Sequence, residues 1–379
     1  MSNVWRLSEC WARRWPFALG AFALLGLALP PGALAQSSVG QAANAAIGRS
    51  LEDAVQNNQN DLLNGGRSGS SSSVAGIGFG ANPTGRLRFS DHDKTRVPGP
   101  PDPNNPNFSW KTEEASVFAN VVATMPGTVM GGQLKLATFA GYNHLSLDLK
   151  NNATFQLDPA QFGSAENDSF LMGGSALWSS GNSYAMLTAV GLLGQTTMND
   201  SIDDCFSATI CAFQKYKFDT VGFIGTGTVG HVFPLSASAA GPMLDIRGAL
   251  NYTANISDPF FNVHVYDPGG VKQTYKFFTW AATGSATLFS NIAMPNAALL
   301  RPYVQAYVRQ EFGYSNKLSI DDHGAFDTNH YDQAHTYGGV DLGATYALGN
   351  MTLGASIYYD GSADERTFGG RLGASWKLN

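Results

Sequence analysis

The chain has 379 residues, a formal net charge of −6, 44% hydrophobic residues and only 14% charged ones. This acidic balance excludes a general nucleic-acid surface, which needs a basic patch. Beyond residue 35 no apolar run is long enough to form a helical membrane span.

The chain opens as an export signal. Arg6, Arg13 and Arg14 form a positive region, Phe17 to Leu29 an apolar core, and Ala33-Leu34-Ala35 the small residues a signal peptidase needs. Gln36 is therefore the predicted mature N-terminus, and Cys10 leaves with the peptide. The paired arginines could suggest twin-arginine export, but such pairs are ordinary in these regions.

Residues 36–63 carry helix formers, with Val39, Ala43, Ile47, Leu51 (or Ser50), Ala54 and Val55 on one weak apolar stripe. Residues 65–73 are a Gly/Ser linker. Residues 91–108 are rich in Pro, Asn and Asp and read as a break in any sheet.

Eleven strand candidates follow, near 115–124, 132–148, 168–178, 183–195, 216–233, 242–254, 272–290, 299–314, 335–347, 350–360 and 366–378. A twelfth, at 74–89 through Ile77, Phe79, Leu87 and Phe89, is favoured because bacterial single-chain barrels have even strand numbers. Several runs alternate strictly, which marks a strand with one apolar face. Met351, Leu353, Ala355, Ile357 and Tyr359 oppose Thr352, Gly354, Ser356, Tyr358 and Asp360, and Phe368, Leu372, Ala374 and Trp376 oppose Gly369, Arg371, Gly373 and Ser375. Leu300, Pro302, Val304, Ala306, Val308 and Phe312 oppose Arg301, Tyr303, Gln305, Tyr307, Arg309 and Glu311; Leu244, Ile246 and Leu250 oppose Asp245, Arg247 and Asn251. The run 183–195 alternates poorly and leaves its register open.

Loop lengths sort by parity. The connections 125–131, 179–182, 234–241, 291–298 and 348–349 are short, whereas 149–167, 196–215, 255–271 and 315–334 are long, with 361–365 the exception. Short turns on one side and long loops on the other belong to a membrane barrel, not to a sandwich. The expected fold is all-β: a transmembrane antiparallel up-and-down barrel of about twelve strands, preceded by a short helix.

Three stretches carry a resemblance: Phe218-Asp219 through Gly230-His231-Val232-Phe233-Pro234-Leu235, Leu299-Leu300-Arg301-Pro302-Tyr303 through Glu311-Phe312-Gly313, and Tyr337-Gly338-Gly339 through Leu378. Over roughly 110–379 the chain resembles the β-domain of autotransporters, the type V secretion barrels of Gram-negative bacteria. That resemblance implies a bacterial outer-membrane location, a lumen helix entering the first strand from below, and assembly by the barrel-assembly machinery through the C-terminal strand. The division it implies is 1–35 signal peptide, 36–73 helix and linker, and 74–379 barrel. Two features depart from the family: little precedes the helix, so a large passenger is not expected, and the chain ends Trp376-Lys377-Leu378-Asn379 instead of on an aromatic residue. An open lumen, with 36–73 as a periplasmic tail, would instead make a small-solute channel of porin type. A barrel enzyme, or an adhesin working through the long loops, is a further alternative.

Few residues point to chemistry. Cys205 and Cys211 share a predicted external loop, and in an oxidising envelope two such cysteines form a disulfide, contributing about 3 kcal/mol or less for so small a ring. The loop Asp321-Asp322-His323, Asp327, His330, Asp332 and His335 matches no defined metal-ligand spacing. Asn57-Asn58, a pair that some autotransporters cut within the barrel, lies in an Asn/Gln-rich run. No hydrolase elbow or zinc-helix motif is present, so neither catalysis nor a cofactor is expected. Seven charges fall on the predicted lumen face: Asp245, Arg247, Arg301, Arg309, Glu311, Asp341 and Arg371. They read either as a salt-bridge lattice bracing a polar interior or as the lining of a selective pore.

Overall fold

The computed structural model describes residues 40, 42–52, 54–56, 59, 62–63, 78–95, 108–151, 161–201, 213–237, 241–264, 267–295, 297–321, 326–330, 336–363 and 365–378. Twelve strands make the barrel. They are β1 (Gly78–Thr95), β2 (Phe108–Thr124), β3 (Gln133–Asn151), β4 (Gln161–Ser180), β5 (Ser183–Ser201), β6 (Phe213–Pro234), β7 (Met243–Ser257), β8 (Asp267–Phe289), β9 (Leu299–Asp321), β10 (Thr336–Leu348), β11 (Met351–Gly361) and β12 (Glu365–Leu378). Each pairs antiparallel with the next, and β12 pairs back onto β1, so the sheet closes. Closure leaves no edge, the condition for β-structure in hydrocarbon. Three short strands lie outside this ring: Phe260–His264 pairs with β8, Ile292–Ala293 with the start of β9, and Phe326–His330 with its far end.

The pattern is inside-out. Leu87, Val117, Leu187, Leu193, Val308, Ile357 and Leu372 are exposed on the outer face, while polar residues such as Asn143, Thr196, Thr253 and Glu311 are buried inside. An aromatic row, including Phe89, Tyr142, Phe170, Phe223, Trp280, Phe312, Tyr359 and Phe368, borders the apolar belt on the outside, where interfacial rings sit in membrane barrels. Tight turns close the periplasmic end. Gly181 and Gly349 each take positive φ at the first position of a two-residue Gly-Asn turn, a conformation that glycine adopts without strain.

Two expectations are corrected at the external end. β1 runs to Thr95 and β2 starts at Phe108, so Asp91 and His92 continue the sheet, opposite Lys111 and Trp110. Strands β4, β5 and β9 also extend past their predicted ends, and Glu365 begins β12 instead of closing a loop. Above the apolar belt the outward residues turn polar, as at Asp91, Glu166 and Asp168, while several inward ones such as Ser90 and Asn167 are polar too although buried, so hydrophobic alternation stops reporting strand there. The contrast in loop length narrows accordingly, because much of each predicted external loop is strand.

Inside the barrel runs a helix, α1, whose described residues fall within 40–63. Ala42 and Ala43 lie at its external end beside Leu147, Tyr216, Phe260 and Tyr275. Leu62 and Leu63 lie at its periplasmic end beside Ala137, Leu177, Tyr184 and Met186. The chain thus descends the lumen before β1 starts up from the periplasmic side.

Candidate functional site: the occupied lumen

The barrel interior has two unlike halves. The wall from β3 to β6 is mainly apolar: Phe139, Leu145, Leu171, Val190, Leu192 and Ile224 pack with Ile47, Leu51, Ala54 and Val55 of α1. This explains the run 183–195, where Met186, Val190 and Leu192 face the helix and Leu187 and Leu193 face lipid. A strand that is apolar on both faces has no alternation to read. Glycines let the helix come close to the wall. A Cβ on Gly48 would lie 2.4 Å from the Phe277 ring, and one on Gly222 would lie 2.8 Å from Leu51.

The opposite wall, from β9 through β12 to β2, carries the charges. Four cations and four carboxylates interlock here: Arg49, Arg86, Arg88 and Arg309 with Glu52, Glu114, Glu311 and Glu365. Two of them, Arg49 and Glu52, belong to α1. Arg49 pairs with Glu365 and donates to the Tyr337 hydroxyl. Glu52 pairs with Arg309, which also meets Glu311 at 2.6 Å, and Glu52 accepts from Thr253 at 2.9 Å. Ser50 donates to Glu114 at 2.6 Å, and Arg86 pairs with the same carboxylate. Arg88 bridges Glu114 at 3.7 Å and Glu365 at 3.6 Å. The Tyr337 ring lies under both Arg49 and Arg309, 5.1 and 5.3 Å from their guanidinium carbons, within cation–π reach. Further contacts fix the helix to the uncharged walls: Asn255 donates to Asn44 at 2.6 Å, and Gln59 exchanges hydrogen bonds with Thr188 and Thr228.

The charges singled out in the sequence fall into two groups. Arg309 and Glu311 join the lattice around α1. The others lie nearer the periplasmic end. Asp245 accepts from Tyr184 at 2.9 Å and sits 3.6 Å from Arg247; Asp341 sits 3.0 Å from Arg371, which stacks over Tyr358. Arg301 donates to Asn291 at 2.7 Å and lies over Phe289. Sequence reading missed Arg49, Glu52, Arg86, Arg88, Glu114 and Glu365. The alternation that would have found Arg86 and Arg88, each beside an outward Leu87 or Phe89, is present in β1. Cys205, Cys211, Asn57 and Asn58 lie outside the described residues, as do the side chains of the Asp/His loop at 321–335. Among the described residues no group of three or more His, Cys, Asp or Glu is placed to hold a metal ion.

A closed barrel with an apolar outer belt and a helix along its lumen defines a class of membrane-spanning protein. The translocator domain of the autotransporter NalP from Neisseria meningitidis is similar, with a TM-score of 0.59 at 14% identity over 90% of this chain and 99% of that one. The transport unit of the autotransporter AIDA-I from Escherichia coli gives 0.55 at 10% identity, over 88% and 98% of the two chains. No family model and no curated protein sequence matches the chain. At these identities the likeness concerns the fold: this chain has the fold of an autotransporter translocator domain, a twelve-stranded barrel of the bacterial outer membrane.

Proposed function

We propose that the protein acts as an autotransporter-type barrel of the outer envelope whose own helix keeps the lumen closed. The observation that carries this reading is the pairing of Arg49 and Glu52 with charges from β9 and β12. A helix about 10 Å across with its side chains fills the width a twelve-stranded lumen offers. In planar bilayers the intact protein is expected to conduct little, and deletion of 36–63 to raise conductance sharply. Equal conductance before and after deletion would overturn the reading in favour of a porin-like channel.

The remaining assignments extend the same reading. Residues 1–35 are removed on export, 36–73 form helix and linker, and 74–379 form the barrel, which β12 presents to the assembly machinery. Cys205 and Cys211 form a disulfide on the external side. Mass spectrometry of non-reduced peptides is expected to find the linked pair; alkylation of both thiols without reduction would reject it.

A further inference from the structure

Pro83 interrupts the seam at which the barrel closes. The β1–β12 ladder runs through Ala81↔Trp376 and resumes at Thr84↔Gly373 with no change of register, leaving Asn82 and Pro83 unpaired on that side. Those two positions face Ser375 and Ala374. Proline has no N–H to offer a neighbouring strand and is normally found at a sheet edge, which a closed barrel does not have. Among the described ladders this is the gap that comes without a bulge.

On the outer face at the same place lies a groove of about 560 Å³, lined by residues of β1, β2 and β9 to β12. Its floor is Gly85, Ala344, Ala355 and Ala374, and Leu353, Leu372 and Val117 stand beside it. One register step above, Leu87, Leu342 and Ile357 project fully outward. An added Cβ on Gly85 would meet nothing within 4 Å, so its small size is not required by packing within the protein. Glycine inside a strand costs stability and often marks close approach of another molecule.

The groove is continuous with the lipid-facing belt, in its periplasmic half. It is bounded above by Tyr359, Phe368 and Phe89, and below by Trp376. Only hydrocarbon meets this face, and its lining offers almost no polar surface. We propose that the groove is a binding site for one acyl chain of a periplasmic-leaflet phospholipid, which lies across the seam and touches both β12 and β1 where the ladder lacks its bonds. The lipid therefore staples the closure, and this holds whatever fills the lumen.

The test uses the full protein in mild detergent, loaded with palmitoyl-oleoyl phosphatidylethanolamine. Native mass spectrometry is expected to show one lipid that survives activation strong enough to strip the detergent, together with a raised melting temperature. The double substitution Gly85→Leu with Ala374→Leu fills the groove and should abolish retention; Gly284→Leu, on a lipid-facing position of β8 with equal free space, should not. Pro83→Ala, which returns the N–H, should remove the dependence of melting on lipid. Retention unchanged by the groove-filling pair, or lost equally with Gly284→Leu, would overturn the site. A lipid-dependent melting temperature that persists in Pro83→Ala would overturn the staple.

Discussion

Glu52 and Arg309 show how single side chains hold the helix in place. Both are buried, and Arg309 is shared between Glu52 and Glu311. Burying a charge without a partner costs far more than a surface pair gains. Glu52→Gln keeps the size of the side chain and its bond from Thr253 but removes the charge opposite Arg309. A hydrogen bond to a charged group contributes about 2 kcal/mol, so the open fraction of the lumen should rise roughly thirtyfold. Single-channel recording should show more frequent openings. Arg309→Gln should act similarly, and the double variant should fall short of the sum of the two, because each single change already breaks the shared contact. Strict additivity would mean that the two residues do not act as a pair.

The helix as an element makes a prediction of opposite sign to its propensity. Gly48 sits inside α1, where replacing glycine with alanine normally stabilises a helix by about 1 kcal/mol. Here a Cβ would come within 2.4 Å of the buried Phe277 ring. Gly48→Ala is therefore expected to lower the melting temperature of the closed state and raise conductance, whereas a helix outside the barrel would gain stability. Unchanged conductance with a higher melting temperature would place the helix elsewhere. The sequence stripe through Ile47, Leu51, Ala54 and Val55 was legible because it packs on a real apolar wall. The polar face was not, because Arg49 and Glu52 look like any solvated pair until strands hundreds of residues away supply Glu365 and Arg309. Strand identity was legible wherever one face meets lipid and the other a polar lumen, as in β9, β11 and β12. It blurred where both faces are apolar, in β5, and where the outer face turns polar, at the external ends of β1, β4 and β9.

At the scale of the whole molecule, closure decides behaviour. β1 to β12 pair in a closed ring, interrupted at Pro83 and by register shifts at Phe312/Ser315 in β9, His92/Thr95 in β1 and Leu149/Lys150 in β3, so most backbone groups in the belt are satisfied by a neighbouring strand. No strand can peel away from a free edge, and unfolding must break two ladders at once. Detergent competes for the apolar outer face without reaching the polar lumen lattice. The ring should therefore survive in sodium dodecyl sulfate at room temperature and open only on heating. The expected result is a compact band in unboiled samples that migrates differently from the boiled chain, with the mature protein recovered in the outer-membrane fraction. The exposed belt, including Leu87, Val117, Leu193 and Leu372, is far larger than a soluble monomer leaves uncovered. A mature protein that stayed soluble and monomeric in the periplasm without detergent, and showed one mobility whether boiled or not, would contradict a membrane-spanning barrel at its root.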